Sequence, residues 1–177
     1  VGGESSAQLH INEDGTAIVI SGSPDIGGSR ASMAMMAAEV LGIDVEKVRP
    51  IVGDTDSIGF TNPTGGSRVT FATGMAVVQA AEDVVGQLRE RAAMIWEVDA
   101  DGVVWEDGHA LPASTNVGEF EPLSLAQIAA MAAKTGGPIS GRASLTASGQ
   151  APGFGTHICD VEVDRETGLV TVLRYTV

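Results

Sequence analysis

Two copies of the tetrapeptide Gly-Gly-Ser-Arg place the strongest constraint on the fold of this chain. They occupy residues 27–30 and 65–68, and each directly precedes a run of helical character. Glycine lets the backbone turn sharply and approach a ligand closely. The first N–H groups of a helix lack intrahelical partners and lie at the positive end of its dipole. The repeated pattern therefore predicts two helix-opening loops whose backbone could bind an anion such as phosphate.

Each loop, taken alone, is equally well explained as a tight turn without a ligand, capped in the first case by Asp25 or Ser29. Neither loop matches the fingerprint of a dinucleotide-binding fold or a phosphate-binding loop that ends in Gly-Lys-Ser/Thr. Arg30 could add a charged donor for a ligand at the first loop. Two such loops in one small chain could converge on a single polyanion, and spacing alone leaves both explanations open.

The periodicity of the chain predicts an α+β fold. Asp14-Gly15 and a Glu-Thr-Gly turn at residues 166–168 lie between alternating runs, which indicates a β-hairpin near each end. We expect mixed or antiparallel sheets, with these hairpins at both ends, packed against two or three helices in a single domain of residues 1–177. The predicted helices span residues 30–41, 67–97 and 124–134, and the predicted strands span residues 7–12, 16–21, 48–54, 102–106, 109–111, 142–147, 157–164 and 169–177.

Residue type adds four finer expectations. The Ala- and Met-rich helix at residues 30–41 should be buried on all sides. Pro50 should lie on an edge strand or in an irregular pairing. Gly74 and Gly86, inside the long helix, should each mark close packing or a break. Cys159 should be a small buried apolar residue rather than a nucleophile.

The charge and the cysteine content exclude several kinds of function. The net charge of −13, from 10 basic and 23 acidic residues, argues against binding of nucleic acid or an anionic membrane surface. No apolar run approaches the ~20 residues that span a bilayer. The single cysteine excludes an intrachain disulfide and a cysteine-ligated zinc or iron–sulfur site, and it suits the reducing cytoplasm. No pair among His10, His109 and His157 has metal-ligand spacing, so no metal ligand is assigned.

Both ends of the chain resemble the interior of a longer polypeptide. The chain begins with Val1 rather than Met, and it ends at Val177 within a strand-like run that no turn follows. We therefore expect the polypeptide to continue, or a partner chain to complete the last sheet.

Several motifs follow one another in order over nearly the whole chain. They are the Asp-x-Gly loop at residues 25–30, Gly-Asp-Thr-Asp at 53–56, Pro-Thr-Gly-Gly-Ser-Arg at 63–68, Phe-Gly-Thr-His at 154–157 and Asp-Val-Glu-Val-Asp at 160–164. In this order they resemble the large subunits of the xanthine dehydrogenase and aldehyde oxidase family, including the bacterial carbon monoxide dehydrogenase type. The ordered set is far more specific than either glycine loop alone.

The resemblance implies a molybdenum hydroxylase large subunit. In such enzymes a molybdenum ion is held by molybdopterin, commonly as its cytosine dinucleotide in bacteria. The reaction is oxidative hydroxylation of an aldehyde, an N-heterocycle or a related substrate, or oxidation of carbon monoxide. Iron–sulfur clusters and FAD are expected on partner subunits, and the rest of the large subunit is expected to complete the enzyme.

The resemblance also divides the cofactor between the two loops. It assigns the pterin side to the first loop, at Gly27, Gly28 and Ser29. It assigns the phosphates and the nucleotide end to the second loop, at Thr64, Gly65, Gly66, Ser67 and Arg68.

One position departs from the family pattern, in which a glutamine commonly follows the glycine and reaches the cofactor near the metal. Gly28 stands there, so only its backbone can make the contact. The family's catalytic glutamate lies downstream of Val177 and a further glycine-rich loop lies upstream of Val1. No catalytic residue is therefore assigned, and the chain is not expected to be catalytic alone. Two alternatives stay open: a stand-alone anion- or nucleotide-binding domain without redox chemistry, and a structural domain whose glycines only make turns.

Overall fold

The computed structural model describes residues 2–113, 120–149, 153 and 155–177. The strands are β1 (Gly3–Ile11), β2 (Ala17–Ser21), β3 (Val48–Val52), β4 (Val103–Glu106), β5 (His109–Pro112), β6 (Leu123–Ser124), β7 (Ile139–Ala147), β8 (Ile158–Val163) and β9 (Val170–Thr176). The α-helices are α1 (Ser29–Leu41), α2 (Gly74–Trp96), α3 (Leu125–Ala130) and α4 (Ala132–Thr135), with a π-helix at Val69–Thr73 and 3₁₀ turns at Val45–Lys47 and Ala100–Gly102. The mixture of helices with antiparallel and mixed sheets confirms the predicted α+β class.

The main sheet has four strands in the order β3–β2–β1–β7, and β1 is antiparallel to both of its neighbours. The hairpin predicted between β1 and β2 is confirmed, and Asp14 Oδ1 accepts the backbone N–H of Thr16 at 2.9 Å in its turn. Strand β3 runs parallel to β2, because α1 carries the chain back along the sheet between them. Pro50 lies on β3 at the sheet edge, where its missing N–H is tolerated.

Helix α2 packs directly on one face of the main sheet. The core is aliphatic, and between this helix and strands β1 and β2 it includes Ala7, Leu9, Ala17, Val19, Ala76, Val77, Ala80, Ala81, Val84 and Leu88. These small side chains let the helix backbone approach β7 so closely that a Cβ on Gly141 would overlap the carbonyl oxygen of Ala80. Each fully buried Leu or Val contributes roughly 1.5–3 kcal/mol. The contact at Gly141 therefore fixes the height of the helix above the sheet.

Helix α1 is buried along one face only, so the expectation that it is buried on all sides is wrong. It packs against α2 and β3, whereas its Met35 side chain is 61% exposed. Ala and Met are apolar enough for a core, yet small or flexible enough to be tolerated at a surface. The helix ends as predicted at Gly42, whose φ is 70° and whose N–H donates to the Ala38 carbonyl at 2.8 Å.

The long helix predicted at residues 67–97 is present in two parts, because a π-helical stretch at Val69–Thr73 precedes α2. Gly74 marks close packing, since a Cβ there would meet the Met36 sulfur at 2.6 Å. Gly86 marks neither close packing nor a break, and that expectation is wrong. A Cβ on Gly86 would meet nothing within 4 Å, and the helix continues through it.

The helix predicted at residues 124–134 is interrupted and forms α3 and α4. Ser124 begins α3 with a capping box: its hydroxyl accepts the Gln127 N–H at 3.3 Å, and the Gln127 side chain accepts the Ser124 N–H at 2.8 Å. The interruption falls at Met131, whose φ of −97° and ψ of 3° lie outside the helical region. The run from residue 124 to residue 135 is rich in alanine and contains no glycine or proline, so the sequence does not signal this break.

A three-stranded sheet, β4–β5–β6, includes the two strands predicted at residues 102–106 and 109–111, which form a hairpin around Asp107 and Gly108. Trp105 of β4 donates its indole N–H to the Leu41 carbonyl at 3.1 Å. Arg89 of α2 donates to a carbonyl of β4 at 2.8 Å. These bonds hold the small sheet at the C-terminal end of α1.

The last hairpin, β8–β9, forms a two-stranded sheet of its own in which every residue of β9 is exposed. Val161 pairs with Val172 and Val163 pairs with Val170, so these four side chains share one face, which we call the valine ribbon. Each is between 47% and 59% exposed. Cys159 is exposed as well, and the expectation that it is buried is wrong, because alternation along a strand does not show whether either face is covered.

The approach of α2 to β7 yields a stability prediction. Gly141→Ala should lower the free energy of unfolding by about 1–3 kcal/mol, because the new methyl group must displace the backbone of α2. Gly86→Ala is the matched control, since that position is open and helical, and it should raise the free energy of unfolding by up to ~1 kcal/mol. Urea denaturation monitored by circular dichroism measures both. A Gly141→Ala variant as stable as the unsubstituted protein would contradict the packing described.

Candidate cofactor-binding site

Both glycine loops lie at one end of the main sheet, where β2 and β3 end and β1 begins. We call this end, across the tips of the strands, the loop edge. Because β2 and β3 are parallel, their last residues pair with one another. Gly53, directly after β3, donates its N–H to the Ser23 carbonyl at 3.1 Å. Asn62, before the second loop, donates to the Glu4 carbonyl at 2.9 Å. Open sheets bind ligands at the carboxyl ends of parallel strands, and the structure brings the two predicted loops to such an edge.

The first loop presents three consecutive backbone N–H groups to its surroundings. Gly27 and Gly28 have φ values of 72° and 87°, which favour glycine, and a Cβ on either would meet nothing within 4 Å. Among the residues that the structure describes, no acceptor lies within hydrogen-bond reach of the N–H groups of Gly27, Gly28 and Ser29. Left-handed residues that lead into a right-handed helix form a concave backbone suited to electron-rich atoms.

A carboxylate lies beside this first loop. Asp25 Oδ1 accepts the Arg30 N–H at 3.1 Å and the Ser29 hydroxyl at 3.3 Å, while Oδ2 pairs with Arg30 Nε at 3.3 Å. The hydrogen bond from the Arg30 N–H is the main cause that lowers the pKa of the Asp25 carboxyl. Asp25 therefore caps the start of α1, as expected if the first loop is a capped turn. Arg30 pairs with Asp25, so its guanidinium does not stand alone as a donor for a ligand.

The second loop also presents free backbone donors. Gly66 and Ser67 have φ values of 61° and 60°, and the following residue is right-handed. Thr64, Gly65, Gly66 and Ser67 are all exposed. Within the described ranges, the N–H groups of Gly65, Gly66 and Ser67 have no protein acceptor. A serine in the left-handed region costs of order 1 kcal/mol, which the surrounding structure must compensate.

Arg68 lies directly beneath the second loop and is only 4% exposed. Its guanidinium donates to three carbonyls, of Gly2 at 3.0 Å, Asn62 at 2.8 Å and Glu4 at 2.7 Å, and to the Ser5 hydroxyl at 2.5 Å. Burial lowers the pKa of the guanidinium below its usual value. No carboxylate pairs with it in the part of the chain that is described. Arg68 thus supplies the loop with a buried positive charge that lacks a counter-ion, and its donors face the protein.

A row of buried hydroxyl groups joins the two loops beneath the edge. Thr73 Oγ1, at the end of the π-helix, lies 2.8 Å from Ser23 Oγ and 3.4 Å from Ser5 Oγ. Ser5 accepts from Arg68, so the row runs from the second loop to Ser23, two residues after the end of β2. Ser5, Ser23 and Thr73 are at most 2% exposed. Sequence reasoning missed all three, because a buried Ser or Thr looks like any other small residue in an alternating or helical run.

The remaining sequence motifs are placed as follows. Asp54 Oδ1, in the Gly-Asp-Thr-Asp motif, accepts the N–H groups of Asp56 and Ser57, both at 3.0 Å, which makes it a turn residue. Hydrogen bonds from Ser57 lower the pKa of the Asp54 carboxyl. Phe154 lies outside the described residues. The neighbouring His157 ring lies 2.9 Å from the Tyr175 hydroxyl on the last hairpin.

Two general properties bound what the site can do. Across the described ranges, no group of three or more His, Cys, Asp or Glu side chains could hold a metal ion, and no helix is long and apolar enough to cross a membrane. A cavity of about 680 Å³ lies at the opposite end of the sheet, beside the β1–β2 turn and the end of α1. The glycine loops instead form an open surface of backbone donors, which suits a ligand that other protein parts help to enclose.

Comparison with known proteins agrees with the earlier resemblance. The family model for the molybdopterin cofactor-binding domain matches residues 1–177, the whole chain. The xanthine dehydrogenase molybdenum-binding subunit of Escherichia coli is 30% identical over 174 residues, which is 95% of this chain and 23% of that protein. The carbon monoxide dehydrogenase large chain of Hydrogenophaga pseudoflava is 28% identical, over 99% of this chain and 22% of that protein.

The fold is likewise that of a solved carbon monoxide dehydrogenase. The reconstituted enzyme from Oligotropha carboxidovorans superposes with a TM-score of 0.76 at 22% identity, over 97% of this chain and 22% of that chain. This chain therefore spans less than a quarter of the length of the relatives it matches. It belongs to the family of molybdopterin cofactor-binding domains, in the group that includes the molybdenum-binding subunits of xanthine dehydrogenases and the large chains of carbon monoxide dehydrogenases.

Proposed function

We propose that the chain holds the molybdenum cofactor of a molybdenum hydroxylase large subunit between its two glycine loops. One observation carries the proposal. Two sets of three consecutive backbone N–H groups, at residues 27–29 and 65–67, form no hydrogen bond with any described residue and share one sheet edge. An exposed N–H group can be satisfied by water, but two such sets, each beside a helix start, fit a ligand rich in acceptor atoms. Molybdopterin, with its pterin and phosphate oxygens, is such a ligand.

Charge supports a division of labour between the loops. The second loop lies above the uncompensated guanidinium of Arg68, so it favours the negatively charged phosphates. Thr64, Gly65, Gly66 and Ser67 would make the direct contacts, and Arg68 would act through its charge and by shaping the loop. The family resemblance implied that Arg68 contacts the cofactor directly. We propose an indirect role instead, because the Arg68 guanidinium makes its hydrogen bonds to the protein.

The first loop lacks such an excess of positive charge. The Asp25 carboxylate beside Gly27, Gly28 and Ser29 offsets the charge of Arg30, with which it pairs at 3.3 Å, and leaves the loop suited to the uncharged pterin side. Gly28 has a left-handed backbone, with a φ of 87°. A glutamine at this position would cost roughly 1–2 kcal/mol in that conformation. The loop therefore offers backbone donors alone where relatives place a side chain.

The proposal extends to the complete enzyme. When bound, the molybdenum cofactor would supply the two-electron redox centre for oxidative hydroxylation of an aldehyde, an N-heterocycle or a related substrate. The cytosine dinucleotide form suits the second loop, since its additional phosphate provides more charge for the exposed donors. The rest of the large subunit, an iron–sulfur subunit and an FAD subunit are the proposed partners. We place the protein in the cytoplasm, whose reducing conditions keep the exposed thiol of Cys159 reduced.

The direct test is cofactor content. The intact gene should be expressed together with its neighbouring genes in a host that makes the cytosine dinucleotide, and the purified protein analysed for molybdenum and for cytidine nucleotide released by acid. We expect both in near-equal amounts. Absence of both from a folded preparation would refute the proposal, and phosphate or nucleotide without molybdenum would support the stand-alone anion-binding alternative.

Gly65 gives a charge-specific prediction for the second loop. Its φ is not left-handed and a Cβ there meets nothing within 4 Å, so a larger side chain fits without strain. Gly65→Glu should lower the retained cytidine nucleotide at least tenfold, about 1.4 kcal/mol, because a carboxylate repels the phosphates. Gly65→Gln, of the same size without the charge, is the control and should retain much more. Equal loss in the two variants would show that bulk rather than charge matters.

Asp25 gives a pH-dependent prediction for the first loop. Because its folded pKa is lowered, its bond to the Arg30 N–H should be intact above the usual aspartate value of ~3.9 and lost as the pH falls through the lowered value. The amide resonance of Arg30, followed by NMR, should titrate with a midpoint below ~3.9. Asp25→Asn should abolish that titration. A midpoint at or above the usual value would exclude the hydrogen bonds described at the start of α1.

A further inference from the structure

Thr73 is the central member of the row of hydroxyl groups that joins the two glycine loops. We propose that Thr73 is a positioning residue that couples the two loops. When a cofactor binds at one loop, the other loop is then already held in the position that binds the rest of the cofactor. The inference rests on the proposed function and deepens it. Thr73 is fully buried, and its hydroxyl lies within reach of both Ser23 and Ser5.

The direction of the hydrogen bonds follows from the guanidinium. Arg68 can only donate, so its bond to Ser5 Oγ leaves the Ser5 proton to be donated onward. Thr73 Oγ1 lies 3.4 Å from Ser5 Oγ and 2.8 Å from Ser23 Oγ, which allows the sequence Arg68, Ser5, Thr73, Ser23. Donors in such a row polarise one another. The second loop is therefore tied to the segment that leads from β2 into the first loop.

The π-helix makes this arrangement possible. In an α-helix, residues five apart point about 140° away from each other, since each residue turns by ~100°. Arg68 and Thr73 are five apart, yet both contact Ser5. The wider π-turn at Val69–Thr73 brings both side chains to the same strand. A purely α-helical start would leave one of them without this contact, which gives the π-helix a function in the site.

The coupling is tested first by hydrogen exchange in the full chain. Thr73→Val keeps the β-branched shape and removes the hydroxyl group. We expect amide exchange to rise at least fivefold at the hydrogen-bonded amides beside both loops, Arg30 and Gly53 for the first loop and Asn62 for the second, with no such rise in β4 and β5. Thr73→Ser should restore slow exchange in both. The control is Thr135→Val, since the Thr135 hydroxyl donates to carbonyls of its own helical segment, at 3.1 and 3.4 Å.

A milder variant keeps the inference falsifiable if Thr73→Val does not fold. Ser23→Ala removes the far end of the row, and we expect faster exchange at the Asn62 amide beside the second loop, although that loop is not the one substituted. Exchange that rises only in the first loop with Ser23→Ala, or only in one loop with Thr73→Val, would overturn the coupling.

Cofactor content in the holoenzyme separates this inference from the proposed function. Thr73→Val should lower retained molybdenum and cytidine nucleotide at least threefold, and Thr73→Ser should restore both. If the unsubstituted protein holds no cofactor but the two loops still respond together in exchange, the proposed function fails and the coupling stands. If the unsubstituted protein is loaded, and Thr73→Val leaves both content and loop exchange unchanged, the coupling fails and the proposed function stands.

Discussion

The guanidinium of Arg68 holds the loop edge of the sheet together. Its hydrogen bonds reach Gly2, Glu4 and Ser5 at the start of β1 and Asn62 before the second loop, so two other stretches of chain depend on one side chain. Removal of a charge from water is costly, and carbonyl acceptors compensate without neutralising it. The result is a fixed positive charge in a chain whose net charge is −13. An anionic ligand can find a local attraction there that the protein as a whole opposes.

The topology explains why a second loop is available beside that charge. The crossover through α1 makes β3 parallel to β2, and parallel strands end at the same edge. An all-antiparallel meander would send successive turns to opposite edges and separate the loops. The crossover also places the start of α1 at that edge. The parallel pairing of β2 and β3 is thus the feature that turns two separate glycine loops into one possible binding surface.

Much of this fold could be predicted from local patterns, and the failures have a common physical cause. The hairpins, the glycine stop at Gly42 and the cap at Ser124 were predictable because turn and cap chemistry acts within a few residues. The π-helix before α2, the break at Met131 and the exposure of Met35 and Cys159 depend on what packs around each segment, which periodicity does not report. The expectation that Gly86 marks close packing or a break failed for the same reason, since a helix tolerates an exposed glycine at modest cost.

The candidate site divides in the same way. The positions of the two loops were visible as a repeated tetrapeptide, and their meeting at one edge followed only once the parallel pair was known. The burial of Arg68 was not predictable, because its partners are mainly backbone carbonyls far away in sequence. The hydroxyl groups of Ser5, Ser23 and Thr73 were invisible for a related reason: their identity matters only through neighbours that the fold supplies.

The valine ribbon has a practical consequence for handling this protein. It is a two-stranded sheet with high β-propensity and an apolar face open to water, and no third strand pairs with it among the described residues, which together favour self-association between copies. The charges on the hairpin, including the Asp160–Arg174 ion pair at 2.7 Å, oppose this. We therefore expect the last hairpin, rather than the glycine loops, to limit the solubility of the chain in isolation. Polar substitutions on the ribbon would allow those loops to be studied at the concentrations that NMR requires.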